Sequence, residues 1–194
     1  MTTYDRRERE RAERHQLIIR TARDLAEDEG WEAVTVRRLA ALIEYSQPVL
    51  YSHFANRDAI IAAVALEGFE ELAADLREAP RNAEGPVEAF AAVVGAYARF
   101  AASHPALYDA MFTLATGLPF GRPEAPEQLK EAFAALAAPV AEVSGPHDPD
   151  TFTEVVWTAL HGLVTLTRSG RLRPDLAEDR LNLLIALMLT GERV

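Results

Sequence analysis

The sequence predicts an all-α protein of about nine helices, and three observations carry that prediction. Apolar residues recur three and four apart along most of the 194 residues, with no convincing strand-like alternation. Residues that start and stop helices fall at the ends of these stretches, and the connections between them are short. Composition supplies the third: 49% of residues are hydrophobic and 26% charged, enough for a core and enough to exclude disorder as the main state. The length suits one large domain, or two small ones that share a core.

Each element has its own signal. Leu17, Ile18, Ala22, Leu25 and Ala26 form one stripe of a first helix over residues 6–29, which Gly30 stops. Thr35 is placed to cap a short helix through Ile43. Ser46 caps a second short helix, whose first turn tolerates Pro48 because that position has no intrahelical N–H bond to lose. Asn56 caps a long helix from Arg57 to about Glu78. The stretch from Pro80 to Pro86 is the clearest break in the chain. Residues 87–102, 104–111 and 128–143 follow as helices, with a Gly- and Pro-rich loop over 116–126 and a second loop over 144–149. Thr151 and Glu154 form a capping box for a helix running to about Gly170. Residues 171–174 turn the chain into a last helix over 175–190.

Several functions are excluded at this level. Cysteine is absent, so there is no disulfide framework, thiolate metal site or cysteine nucleophile. His15, His53, His104, His147 and His161 show no metal-ligand spacing, and neither a Gly-rich phosphate loop nor a nucleophile elbow is present. The His147-Asp148-Pro149-Asp150 stretch is read as a helix-capping loop in preference to a cation site. No catalytic residue, metal or cofactor is expected, and the chain is not read as an enzyme. Met1 to Arg14 lacks the apolar stretch of a signal peptide, and no apolar run approaches the roughly 18 residues that span a bilayer. A soluble, cytoplasmic protein with no membrane partner is expected.

Charge is unevenly placed. The net charge is −10, which argues against indiscriminate binding to nucleic acid. Residues 1–60 hold ten Arg against eleven Asp and Glu, a balance of −1, whereas residues 61–194 hold ten basic against nineteen acidic side chains, a balance of −9. The two parts face different electrostatic tasks.

The functional motif lies in the first part. Three helices between Arg6 and Phe54, the last two short and joined by a tight turn, have helix-turn-helix spacing. The run Thr35-Val36-Arg37-Arg38-Leu39-Ala40, then Ser46, Leu50-Tyr51-Ser52-His53-Phe54 and Asn56-Arg57, resembles the TetR family of bacterial regulators over roughly Gln16 to Ala63. Leu50 and Phe54, four apart, share a face that can pack inward. Gln47, Pro48 and Tyr51 lie elsewhere, free to meet a major groove. Gln can bond adenine bidentately, and the ring of Pro48 can touch a thymine methyl. The resemblance implies that Tyr51 holds a phosphate and that Thr35 and Arg57, at helix N-termini, are phosphate clamps. Arg37, Ser46 and His53 complete the expected DNA-binding set. Each has a plainer alternative: Thr35 and Asn56 cap helices with or without DNA, Tyr51 can pack at the bundle edge, and His53 can orient its helix. The arginines Arg6, Arg7, Arg9, Arg11 and Arg14 alternate with acidic residues and read as a solvated face, with DNA contact as the alternative. One departure stands out. Glu44 and Tyr45 occupy the turn where the family usually has Gly; at positive φ, Glu costs about 1 kcal/mol relative to Gly, and its carboxylate would be repelled by phosphates.

The second part is read as a sensor and a dimer. Over residues 151–170, Phe152, Val155, Val156, Trp157, Leu160, Leu163 and Val164 cover more than one face, and such a helix must be buried on two sides. Gly162 within it suggests close approach of another helix. With Leu181, Leu184, Ile185 and Met188 of the last helix, the residues Phe152, Val156, Leu160, Gly162 and Leu163 form the expected dimer interface. The segment Trp157-Thr158-Ala159-Leu160-His161-Gly162-Leu163 resembles the C-terminal domain of one TetR subgroup marked by spaced Trp, His and Gly. Tyr97, Tyr108, Met111, Phe112, Trp157 and His161 are the expected lining of a pocket for an apolar or aromatic small molecule; the alternative is that they are core.

The expected function is therefore a sequence-specific DNA-binding transcriptional regulator. It would be a homodimeric repressor on a palindromic operator in double-stranded DNA, released by a small-molecule effector. Residues 1–57 would read DNA, and residues 58–194 would bind ligand and dimerise. The alternative is a dimeric small-molecule-binding module that has lost specific DNA recognition, suggested by Glu44 and by a balance of only +2 over residues 33–57.

Overall fold

Glycine and small polar residues set the helix ends, as the sequence predicts. The computed structural model describes residues 3–115 and 117–190. Among these there are nine α-helices and no strand: α1 (Thr3–Glu29), α2 (Val36–Leu42), α3 (Gln47–Tyr51), α4 (Arg57–Glu78), α5 (Pro86–Ser103), α6 (Pro105–Asp109), α7 (Glu127–Ala141), α8 (Pro149–Arg168) and α9 (Ala177–Leu189). Single 3₁₀ turns lie at Trp31–Ala33 and Pro174–Leu176, and a π-helical turn at Ala110–Leu114. The all-α expectation holds. Of the loop expected over residues 116–126, Thr116 lies outside the described residues.

The chain folds as two compact units. The first comprises residues up to Gly68 together with His104–Ala125; the second comprises Phe69–Ser103 and the residues from Pro126 onward.

In the first unit α1 buries Ile18, Ile19, Ala22, Leu25 and Ala26, so Ile19 joins the expected stripe while Leu17 stays half-exposed. Gly30 ends the helix at φ +83°, where a β-carbon would be strained. The Thr35 hydroxyl accepts the Arg38 N–H at 3.2 Å, and the Asn56 side chain accepts the Ala59 N–H at 2.9 Å, so both expected caps form. Ser46 stands at the cap position of α3, but its side chain makes no capping bond; Pro48 occupies the first turn as expected. The segment 105–114 is fastened to α1 and α4. Glu27 accepts the N–H groups of Ala106 and Leu107, each at 3.0 Å, and the Trp31 indole N–H donates to the Ala106 carbonyl at 2.8 Å. At Gly68 of α4 an added β-carbon would lie 2.7 Å from Met111 Sδ and 2.8 Å from Leu107 Cδ1, so a larger residue there would have to push these two side chains aside.

In the second unit the helices bury stripes at helical spacing: Phe90, Val93, Val94, Tyr97 and Phe100 on α5, Leu129, Leu136 and Val140 on α7, and Val156, Leu160 and Val164 on α8. The start of α8 corrects the expected capping box. The helix begins at Pro149, two residues before Thr151, and Asp148 is the cap. Its carboxylate accepts both the Thr151 N–H at 2.9 Å and the Thr151 hydroxyl at 2.7 Å. Proline is preorganised for the first helical position, and an acidic residue before it satisfies the free N–H groups better than Thr151 could from inside the turn.

These bonds from Thr151 hold the Asp148 carboxyl below its ordinary value of 3.8. A carboxyl lowered by folding contributes stability above its unfolded pKa and loses it as pH falls through the lowered folded value. In urea denaturation, the stability difference between the wild type and Asp148→Asn is expected to be largest near pH 6 and to shrink below about pH 4. A difference that stays constant down to about pH 3 would contradict the charged cap.

Candidate functional site

The helix-turn-helix is assembled by what it hides. Leu39 and Ala40 of α2, Leu50 of α3 and Phe54 just after it are buried, and Leu50 and Phe54 face inward together as their four-residue spacing requires. With these side chains fixed, the opposite edge is presented to solvent. Thr35, Arg37, Ser46, Gln47, Pro48 and Tyr51 are all exposed, Tyr51 by 54%, while His53 is half-buried. The structure thus leaves six of the eight expected DNA-binding residues exposed to solvent. Tyr51 points to solvent and is not packed at the bundle edge.

Arg57 is placed differently, and this corrects its reading as a phosphate clamp. Its Nε–H donates to the Val34 carbonyl at 2.8 Å and a terminal N–H donates to the Trp31 carbonyl at 2.6 Å. The guanidinium closes the turn before α2 onto the start of α4. Its fork of donors fits two carbonyls of one turn, whose oxygens would otherwise be left to weaker partners. Arg38 is likewise engaged, in an ion pair with Glu29.

Glu44 has φ +58°, so the strained position is real. The Tyr45 N–H reaches back to the Ala40 carbonyl at 3.0 Å, the long bond of a left-handed helix cap in which glycine is usual. Glu44 itself is exposed.

The six expected ligand residues divide between the units. Tyr97, Trp157 and His161 belong to the second, and Tyr108, Met111 and Phe112 to the first. In the second unit the Trp157 indole N–H donates to the Tyr97 hydroxyl at 3.1 Å, and the Trp157 and His161 rings lie 6.3 Å apart, one helical turn along α8. Burial, and secondarily the Arg168 guanidinium, push the His161 imidazole below its ordinary value of 6.5. In the first unit the Tyr108 and Phe112 rings are 4.6 Å apart, and Met111 is buried under Gly68. Tyr97, Tyr108 and Met111 are fully buried.

Of the expected dimer residues, Val156 and Leu160 are 1% and 0% exposed in the single chain, so they are core and offer no area to a partner. Phe152, Gly162 and Leu163 of α8 and Leu181, Leu184, Ile185 and Met188 of α9 are half-buried. The exposed apolar side chains beside them are Val155, which the sequence places in the α8 stripe but not in the interface set, and Leu166, Leu183 and Leu187, which it does not single out. Among the described residues no atom outside its own turn comes within 4 Å of a β-carbon built on Gly162, so no described neighbouring helix explains that glycine. Glu27 and Trp31 were also missed, because their partners lie 75 or more residues away and no local signal marks them.

A short helix pair with a buried inner face and exposed Gln47, Pro48 and Tyr51 defines a helix-turn-helix DNA-binding protein. Residues 18–64 match the bacterial regulatory proteins of the tetR family, and residues 90–190 match the tetracyclin repressor-like C-terminal domain. The chain belongs to the TetR family of transcriptional regulators, which makes it a DNA-binding regulator and not an enzyme. An HTH-type transcriptional regulator of Mycobacterium tuberculosis is 27% identical over 158 residues, covering 79% of this chain and 69% of that one. Among solved structures, a protein of unknown function from Rhodococcus sp. RHA1 matches with a TM-score of 0.77 at 26% identity, over 91% of this chain and 94% of that chain. RolR, solved in complex with its ligand resorcinol, shares the fold with a TM-score of 0.69 at 18% identity, over 93% of this chain and 88% of its own.

Relieving the left-handed Glu44 is expected to stabilise the fold. Glu44→Gly should gain about 1 kcal/mol, raising Tm by roughly 2–4 °C for a chain of this size. Glu44→Gln should leave Tm nearly unchanged, because amide and carboxylate suffer the same backbone strain. Calorimetry of the three proteins checks this, and an unchanged Tm in Glu44→Gly would remove the strain argument.

Proposed function

We propose that this regulator is a homodimeric repressor that reads a palindromic operator and is released by a small apolar or aromatic ligand. The observation that carries the reading is the exposed edge of α3, with the side chains around it used for packing. In this reading Gln47 and Pro48 supply base contacts in the major groove. Thr35, Arg37, Ser46, Tyr51 and His53 contact the DNA backbone and set register, since phosphate contacts position and base contacts specify. Arg57 acts one step back, by holding the turn that presents Thr35.

Dimerisation through α8 and α9 follows from their unburied apolar surface. No residue of α9 is fully buried, and Leu183 and Leu187 are 58% and 60% exposed. A helix apolar nearly all round needs cover on a second side. A second copy supplies it by symmetry, and the open space at Gly162 lets a partner helix approach closely. The functional division then falls after Arg57, with residues 1–57 reading DNA and residues 58–194 sensing and dimerising, in the cytoplasm.

The effector reading rests on the aromatic groups around Tyr97, Trp157 and His161 and around Tyr108 and Phe112. The fold shared with RolR, whose complex holds resorcinol, is in keeping with an aromatic ligand. Ligand would favour a state in which α4 swings and the two recognition helices of the dimer change their separation. A coupling of about 1–3 kcal/mol lowers operator affinity 5- to 150-fold.

Fluorescence anisotropy with the DNA flanking the gene, against a scrambled duplex, tests the DNA reading. Binding about a thousand-fold tighter to the flanking DNA is expected. Gln47→Ala should lower that ratio by about 1–3 kcal/mol, while Tyr51→Phe should weaken both duplexes alike. Equal binding to both duplexes, unchanged by Gln47→Ala, would favour a module that no longer reads sequence.

A further inference from the structure

The middle turns of α1 stand beside the end of the recognition helix, and their side chains there are cationic or protonatable. Arg11, Arg14, His15 and Ile18 follow one another at spacings that place them on one face of α1. Ile18 is buried on that face. His15 stacks on Phe54 with ring centroids 4.4 Å apart, and its ring lies 5.9 Å from that of His53. Arg11 is exposed and Arg14 half-buried. Among the described residues neither arginine has a carboxylate within ion-pair distance, whereas Arg6 pairs with Glu10 and Arg38 with Glu29. The Nε of Arg14 is shielded from solvent and has no hydrogen-bond partner.

We propose that Arg11, Arg14 and His15 of α1, together with His53, form a further anion site that holds the phosphate backbone of duplex DNA beside the recognition helix. Four cationic or protonatable groups gathered without a carboxylate repel one another, and an anion is what would relieve the repulsion. The same field acts on His53: burial first, then His15, Arg11 and Arg14, push its imidazole below the ordinary 6.5. Other charges in the sequence neighbourhood are Arg57, turned onto the Trp31 and Val34 carbonyls, and Asp58, exposed in the first turn of α4. The site lies one or two residues beyond the exposed Tyr51 and Ser52, so it extends the edge that α3 offers to DNA. Duplex DNA presents one negative charge per about 1.7 Å of axis, so a second row of cations next to a docked helix finds phosphates in reach. Because His53 binds phosphate best when protonated, affinity rises as pH falls through its titration range.

The probe is a random-sequence duplex of about 30 base pairs, titrated with the full-length protein at several salt concentrations. In the double variant Arg11→Ala/Arg14→Ala, the slope of log K against log salt should become shallower by about 1.8 per bound protomer, two contacts at about 0.9 each. Arg11→Lys/Arg14→Lys should retain the slope, since only charge is needed. Arg171→Ala, exposed and remote in sequence, should leave it unchanged. His15→Gln/His53→Gln should flatten the rise in affinity between about pH 8 and pH 5.5. Circular dichroism and Tm show which variants are folded, and the lysine pair keeps the test open if the alanine pair is not. A wild-type slope in the alanine variant, with Tyr51→Phe still lowering affinity, overturns this site and leaves the recognition helix as the reader. A wild type with no salt-dependent binding overturns both.

Discussion

The turn at Trp31–Val34 is the constraint on which the first unit depends. Its carbonyls at Trp31 and Val34 accept two N–H groups of Arg57, and the Trp31 indole N–H donates to the Ala106 carbonyl. One turn earlier Glu27 accepts the first N–H groups of α6. Three segments far apart in sequence therefore meet at a few bonds, of which the charge-assisted ones are worth about 1.5–3 kcal/mol net each. Val34 is fully buried there and Thr35, next in the chain, caps α2. The position of the recognition edge is thus inherited from this turn: α2 starts where the turn ends, and α3 packs on α2 through Leu39 and Leu50. An arginine suits the task because its fork spans two carbonyls and stays charged at any relevant pH, which a lysine would not match in geometry.

This arrangement explains what could be read from sequence and what could not. Helix starts and stops were legible because their causes are local: Gly30 at positive φ, Asn56 and Thr35 as caps, and Leu50 with Phe54 as an inward pair. The cap of α8 was misassigned within the same logic. Thr151 and Glu154 have capping-box spacing, yet Asp148 followed by Pro149 competes for the same N–H groups from a better position. Longer-range relations were out of reach. Nothing near Arg57 announces that its guanidinium turns back to residues 23 and 26 earlier in the chain. Nor does any local pattern say that Val156 and Leu160 face the interior of their own chain while Val155 and Leu166 do not. Helical spacing identifies an apolar face but not which neighbour covers it.

Electrostatics reconcile a net charge of −10 with binding to DNA. The acidic excess falls after residue 60, and within a protein bathed in salt a charge acts over about 8–10 Å. Glu44, in the turn itself, lies within that range of a phosphate at α3 and weighs heavily. That residue combines two penalties, a left-handed backbone and a negative charge, in the element where neither is helpful. Tolerating both is coherent with a fold anchored elsewhere, by the Trp31–Val34 turn and the buried Leu39, Leu50 and Phe54. The turn can be suboptimal because it does not hold the helices together.

The same reasoning applies to the end of the chain. Helix α9 buries none of its residues fully, although Leu181, Leu183, Leu184, Ile185, Leu187, Met188 and Leu189 give it an apolar surface nearly all round. Packing within its own unit covers one side; Leu183 and Leu187 remain on the other. Exposed apolar surface of this kind favours association at roughly 25 cal/mol per Å² buried, less the entropy of joining two chains. In the proposed dimer the cover would come from an identical α8 and α9. Completion of α9's environment and pairing of two recognition helices would then be one event, and the spacing between those helices would be set by a packed interface instead of a flexible link. A regulator that signals through that spacing needs such rigidity, because paired recognition helices must match half-sites one DNA turn, about 34–36 Å, or a multiple of it apart.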